Sequence, residues 1–396
     1  MKKQLAKTKL IQYVGVMSVF AATLGLTVAV GENKPRNQAI TPQQAVLTAD
    51  IPKIQLAILL DTSNSMDGLI DQARNQLWQV VNEFSKANYD GVTPELEVAV
   101  YEYGNDGLSS RQGYTRQVIA LTKDLDRVSE ALFSLTTNGG SEFCGYAIQT
   151  SVNELQWSDS DNDIKTIFIA GNEAFTQGNV SYKDAITQAK LAGITVNTIH
   201  AGDYDEGVQT GWQAGAMLAG GNFMSIDHNQ KTVHIVAPQD EEIAALNEKL
   251  NETYVPYGDK GNAGITRQMA QDKNSNNVSL GLLAKRAKTK ASSFYDNSEW
   301  DLVDAMEKNK LDVSRLEEAA LPSALQSLDK DERATYVQEK AEQRKKIKEQ
   351  IASLAEARDK YVEEKKREMV ETEESLDDAL ISAVKAEAEK KDYTFE

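Results

Sequence analysis

Residues 53–66 read KIQLAILLDTSNSM, and the rest of the chain can be interpreted outward from them. The first part, 53–60, is an apolar run of strand length, the pattern of a strand covered on both faces. It breaks at Asp61, Thr62, Ser63, Asn64 and Ser65, residue types that favour turns and helix starts. Beyond the break, Leu69, Ala73, Leu77, Val80, Val81 and Phe84 recur at helical spacing, which predicts an amphipathic helix over 67–87. A buried strand passing through a polar loop into a helix is the opening half of a strand–helix–strand unit.

The same alternation continues downstream. Strands are expected at 96–103, 117–121, 164–170, 194–200 and 223–226. Helices are expected through Leu125, Val128, Leu132 and Leu135, and over 146–155, 181–192 (stopped by Gly193) and 207–219. Alternating strands and helices pair in parallel with helices on both faces. The predicted fold is therefore α/β, an open, doubly wound, mostly parallel sheet over 53–236, followed by a mainly α-helical C-terminal region. Within 237–298, a helix at 240–250 leads into Tyr254-Val-Pro-Tyr-Gly, read as an extended segment and turn, and a Gly/Asn-rich loop at 258–279. Residues 299–396 form a charged helical or coiled-coil region, with Pro322 its clear breaker. Ile347, Ile351, Leu354 and Tyr361 make an apolar seam, but Arg344 and Arg358 fall on its heptad positions. Two readings follow: a coiled coil or hairpin for a partner, or a solvated helix packed on its own neighbours.

In open α/β sheets ligands collect beyond the carboxyl ends of the strands, where Asp61 stands. Asp61, Ser63 and Ser65 alternate, so one carboxylate and two hydroxyls can converge on a hard cation. The string resembles the metal-ion-dependent adhesion site of von Willebrand factor type A and integrin inserted domains. A helix N-cap turn would account for Ser65 or Asp67 alone, but not for the whole string. The resemblance implies two further ligand loops. In the second, Asn138-Gly139-Gly140-Ser141-Glu142 places Ser141 where the family has Thr, with Glu142 as an additional or substitute ligand. In the third, the family's Asp is missing from Ala170-Gly171-Asn172-Glu173, leaving Asn172 or Glu173 to act instead, or water. The candidate metal ligands are thus Asp61, Ser63, Ser65, Ser141, Glu142, Asn172 and Glu173, for Mg²⁺ or Mn²⁺ with Ca²⁺ a further candidate. The segments at 169–173, 196–200, Gly211-Trp212, 254–258 and 300–305 are also similar to a bacterial group of exported type A-domain proteins with a helical tail. That likeness implies no biochemical activity.

The resemblance implies a binding module, in which a protein partner's carboxylate completes the cation's shell. The alternative is a structural or assembly factor that binds through its helical tail and carries a degenerate metal site. A metal-dependent phosphohydrolase is a more remote reading, because phosphoaspartyl enzymes carry a second Asp where this chain has Ser63.

Composition narrows the classes further. Across 396 residues, 41 % are hydrophobic, enough for an ordinary core, and the net charge of −17 weighs against a nucleic-acid partner. Lys2, Lys3, Lys7 and Lys9 precede an almost uncharged run from Leu10 to Val30. Residues 1–30 therefore read as a signal peptide or signal anchor and 31–52 as a linker. The remainder is expected to be exported, periplasmic or membrane-anchored, touching the membrane only through that segment if it is uncleaved. Cys144 is the sole cysteine, so no disulfide closes within the chain. His200, His228 and His234 lack zinc spacing; His200 either lines the rim of the site or is structural. Asp159, Asp161 and Asp163 alternate as in a calcium loop, but Ile164 and Ala170 stand where that loop needs Gly and Glu.

Overall fold

The apolar run forms β1 (Lys53–Asp61), the strand around which the sheet is arranged. In this computed structural model, residues 51–226, 235–368 and 376–395 are described. The segment expected as a leader at 1–30, most of the expected linker, His228 and His234 lie outside them.

After β1 come α1 (Asp67–Phe84), a short β2 (Ala87–Asn88), β3 (Glu95–Tyr103), β4 (Thr115–Thr122), α2 (Leu125–Ser134), α3 (Cys144–Glu154) and β5 (Ile164–Gly171). The series continues with α4 (Tyr182–Leu191), β6 (Thr195–Ala201), α5 (Tyr204–Gln209), α6 (Trp212–Ala219) and β7 (Phe223–Ile226). The sheet order is β4-β3-β1-β5-β6-β7, parallel throughout except for β4, which pairs antiparallel at the edge. From β1 the chain winds to β3, and from β5 it winds the other way to β6. The loops after β1 and β5 consequently part, leaving the crevice in which such sheets hold ligands.

Strand alternation divides the core in two. Ile54, Leu56 and Leu60 face α1 and α2, while Ala57 and Leu59 face α3, α4 and α6. The region expected to be one helix over 207–219 is two, because Gly211 adopts a left-handed φ of 99° between α5 and α6.

The C-terminal region contains α7 (Asp240–Asn251), α8 (Gly261–Val278), α9 (Leu280–Ala291), α10 (Leu302–Glu307), α11 (Ser323–Gln326), α12 (Lys330–Glu368) and α13 (Leu376–Glu389), then β8 (Thr394–Phe395). The Gly/Asn-rich loop expected at 258–279 is instead the helix α8. Its buried side is polar: Gln268, Gln271, Asp272 and Ser275 are enclosed. Asp272 accepts from Arg286 at 2.6 Å and Lys290 at 3.0 Å, and Gln271 accepts from Ser129 of α2 at 2.9 Å. Gly264 packs beneath Trp300 so closely that an added Cβ would lie 2.4 Å from the ring. No apolar period marks a helix whose inner face is built from hydrogen bonds.

The two arginines on the seam of α12 are buried anchors. Arg344 bonds Asp301 and Asp304, each at 2.6 Å, and covers the Tyr254 ring at 4.0 Å. Arg358 bonds Asp240 at 2.6 Å. The helix thus packs along its own chain, against α7, α9 and α10. Behind it, α13 returns to α1, and β8 pairs antiparallel with β2. The Asp159–Asp163 turn receives this end: Lys391 bonds the carbonyls of Asp161 and Asp163, and Tyr393 that of Asn162.

Candidate metal centre

Asp61 ends β1 opposite Tyr103 and is fully buried. Its Oδ1 accepts the Ser63 N–H at 2.8 Å, so the turn begins by folding onto its own carboxylate. Alternation carries Ser63 and Ser65 to the same side, with their hydroxyls 3.4 Å apart. Thr62 faces away, and its hydroxyl donates to the Tyr103 carbonyl at 3.2 Å. From the third loop, the Asn172 amide donates to Ser65 Oγ at 3.3 Å. Asp61, Ser63, Ser65 and Asn172 therefore meet.

The second loop is stitched to the first. Asn64 donates its N–H to Gly139 at 3.0 Å, and Asn138 donates to Thr62 at 2.9 Å. Ser141 is half-buried and bridges to Gly104, while Glu142 turns inward and is only 3 % exposed. Glu142 anchors its backbone on Gln177, 2.8 Å away. Glu173 is exposed, with its backbone carbonyl accepting from Trp212 at 2.8 Å. It acts on the site as a nearby negative charge.

Two residues absent from the sequence-based set shape the floor. Gly104 takes a φ of 83°, and a Cβ there would sit 2.6 Å from Asp61 Oδ1 and 2.8 Å from Glu142 Cγ. Tyr103 donates its hydroxyl to the Ala170 carbonyl at 2.9 Å and fills the space beside Gly171. The available signal was a glycine directly after a strand on the ligand-bearing edge.

Burial pushes the Asp61 carboxyl up to about 7, opposed by hydrogen bonds from Ser63 and reinforced by the charge of Glu173. Burial likewise pushes Glu142 up to about 8, reinforced by Asp61 and Glu173. Asp61 Oδ2, Glu142 Oε2 and Asn172 Oδ1 are buried without a hydrogen-bond partner among the described residues. Buried oxygens of this kind normally find a donor or a cation. An oxygen-only set of two carboxylates, hydroxyls and an amide suits a hard dication. Among the described residues no group of three His, Cys, Asp or Glu side chains gathers to hold a metal, so hydroxyl and water oxygens would complete the shell.

His200 does not reach the rim. It is buried with its ring 5.8 Å from that of Trp212. Cys144 opens α3, buried 3.7 Å from the Tyr103 hydroxyl, and burial raises its thiol far from the reactive thiolate range.

The family model of the von Willebrand factor type A domain matches residues 55–210. No curated protein gives a significant match. Among solved structures, the chain is similar to proximal thread matrix protein 1 of the mussel byssus with a zinc-occupied MIDAS motif. That match has 14 % identity and a TM-score of 0.34, covering 46 % of this chain and 43 % of that one. It is similar to the conserved hypothetical protein BatB from Bacteroides thetaiotaomicron, at 15 % identity and a TM-score of 0.34, covering 44 % and 90 %. It is also similar to the SpRpn10 VWA domain, at 16 % identity and a TM-score of 0.31, covering 47 % and 100 %. The chain spans less than half the length of the mussel protein. The family match coincides with the strands and loops that carry Asp61, and residues 55–210 are a von Willebrand factor type A domain.

Proposed function

We propose that this chain is a divalent-cation-dependent protein-binding module, exported to the cell envelope, and not an enzyme. The observation that carries the reading is Asp61, buried with one oxygen that has no hydrogen-bond partner among the described residues, at the head of two convergent serine hydroxyls. Asp61, Ser63 and Ser65 would hold the ion, Glu142 and Asn172 would add oxygens, and Ser141 stands at the edge of the set. Mg²⁺ or Mn²⁺ fits a set of one or two carboxylates completed by hydroxyls and retained waters. When bound, the ion supplies a Lewis-acidic position for an anionic oxygen, here a carboxylate from a partner protein. In a dry crevice that contact is worth far more than a surface salt bridge. Export rests on the four lysines before the apolar run at 10–30.

Capture of an envelope partner by the full chain should need metal and fail in chelator. Capture that survives both chelator and Asp61→Ala would favour binding through the helical region instead. Phosphatase activity lost in Asp61→Asn would favour the hydrolase reading.

A further inference from the structure

Glu142 is difficult to explain as an ordinary loop residue. Carboxylates on loops are seldom enclosed unless paired, yet this one is 3 % exposed, and its Oε2 has no partner among the described residues. The charged groups that act on it most strongly, Asp61, Glu173 and Asp106, are all acidic. The backbone is shaped for this approach. Only glycine at 104 lets the Asp61 and Glu142 side chains close to within 3 Å of one point. The loop carrying Glu142 is held by backbone bonds at Asn138, Gly139 and Ser141 and by Gln177 at Glu142, so withdrawal of Glu142 means releasing the Ser141–Gly104 bond, at 3.4 Å a long one, and the Gln177 contact. Within the loop Gly139 adopts a left-handed φ of 78° beside a second glycine, Gly140.

We propose that Glu142 is the chain's own stand-in for a partner carboxylate, closing the cation site at rest and leaving it, by movement about Gly139-Gly140, when a partner enters. This rests on the reading of Asp61 as a metal ligand. Asp61 and Glu142 together neutralise a dication, so a site closed by both attracts an incoming anion weakly. With Glu142 withdrawn, one positive charge is uncovered within a buried crevice, and an external carboxylate then binds strongly. Retention of the ion and capture of the partner thus make opposite demands on a single side chain.

The test uses the full chain, Mn²⁺ as the ion and acetate as the carboxylate probe, with water-proton relaxation reporting the waters held on Mn²⁺. Wild type should bind Mn²⁺ with few exchangeable waters and respond little to acetate. Glu142→Gln should bind Mn²⁺ about tenfold more weakly, hold more water on it, and lose that water to acetate at lower concentration. Glu142→Asp, one methylene shorter, keeps the charge and should gain water with a smaller loss of affinity; it serves if the Gln variant fails to fold. Unchanged Mn²⁺ affinity and water count in both variants would overturn the proposal. Weaker Mn²⁺ binding with no gain in acetate response would reduce Glu142 to a permanent ligand and also overturn it. Absence of Mn²⁺ binding in wild type would instead overturn the metal reading on which it rests.

Discussion

Asp61 is removed from water with one oxygen left without a partner among the described residues, and this sets its part in the domain's response to pH. Its carboxyl titrates near 7 in the fold and near 4 in the unfolded chain, so the folded state keeps a proton that the unfolded state has already released. The contribution of this group to the stability of the metal-free chain is therefore greatest below about pH 4 and falls as the pH rises to about 7, by about 4 kcal/mol. Glu142, raised to about 8, carries the fall further. Thermal denaturation in chelator should show the decline, Asp61→Asn should flatten it, and Mg²⁺ should reverse it only at the higher pH. An equally steep profile in Asp61→Asn would contradict the account. Gly104→Ala, with a Cβ forced 2.6 Å from Asp61 Oδ1, should lower both stability and metal affinity. At this scale the first loop was legible, because alternation alone puts Asp61, Ser63 and Ser65 together. Which glutamate turns inward was not: Glu142 and Glu173 are equivalent as letters, and only packing against Gly104 separates them.

Elements with apolar periods were legible, and those held by charge were not. Strands β1, β3, β5, β6 and β7 lie within a residue or so of their expected positions, because buried parallel strands are apolar throughout. The inner face of α8 is built from Gln, Asp and Ser, so its glycines and asparagines suggested a loop. In α12, the arginines that interrupt the seam are its anchors. Arg344→Ala should cost about 3–5 kcal/mol in chemical denaturation, since it leaves Asp301 and Asp304 buried without their cation. A loss below about 1 kcal/mol would show the network to be dispensable. A third pH-sensitive group sits on α13, where burial pushes Glu387 up to about 7. Stability from this group also declines as the pH rises between about 4.5 and 7. Glu387→Gln should therefore remove part of the decline that Mg²⁺ leaves untouched, which separates it from the Asp61 contribution.

For the whole molecule, the helical region is inseparable from the sheet. Ile351, Leu380, Val384 and Tyr393 share one apolar core with β1 and α1, and Arg286 of α9 bonds Asp126 of α2 at 2.6 Å. Truncation after residue 300 should therefore unfold the domain rather than release a free module, read as loss of a cooperative thermal transition. A cooperative transition preserved in the truncated chain would show the two parts to be independent. The sequence left this joining open, because a dense run of Glu, Lys and Arg admits both a coiled coil for a partner and a solvated helix packed on its own neighbours. The fold then serves mainly to hold three loops over one buried carboxylate. Titration calorimetry of the full chain with Mg²⁺, wild type against Asp61→Ala, tests that claim most directly. Wild type should show saturable binding at one site, and the variant should show none. No binding by wild type, or the same binding by the variant, would contradict it.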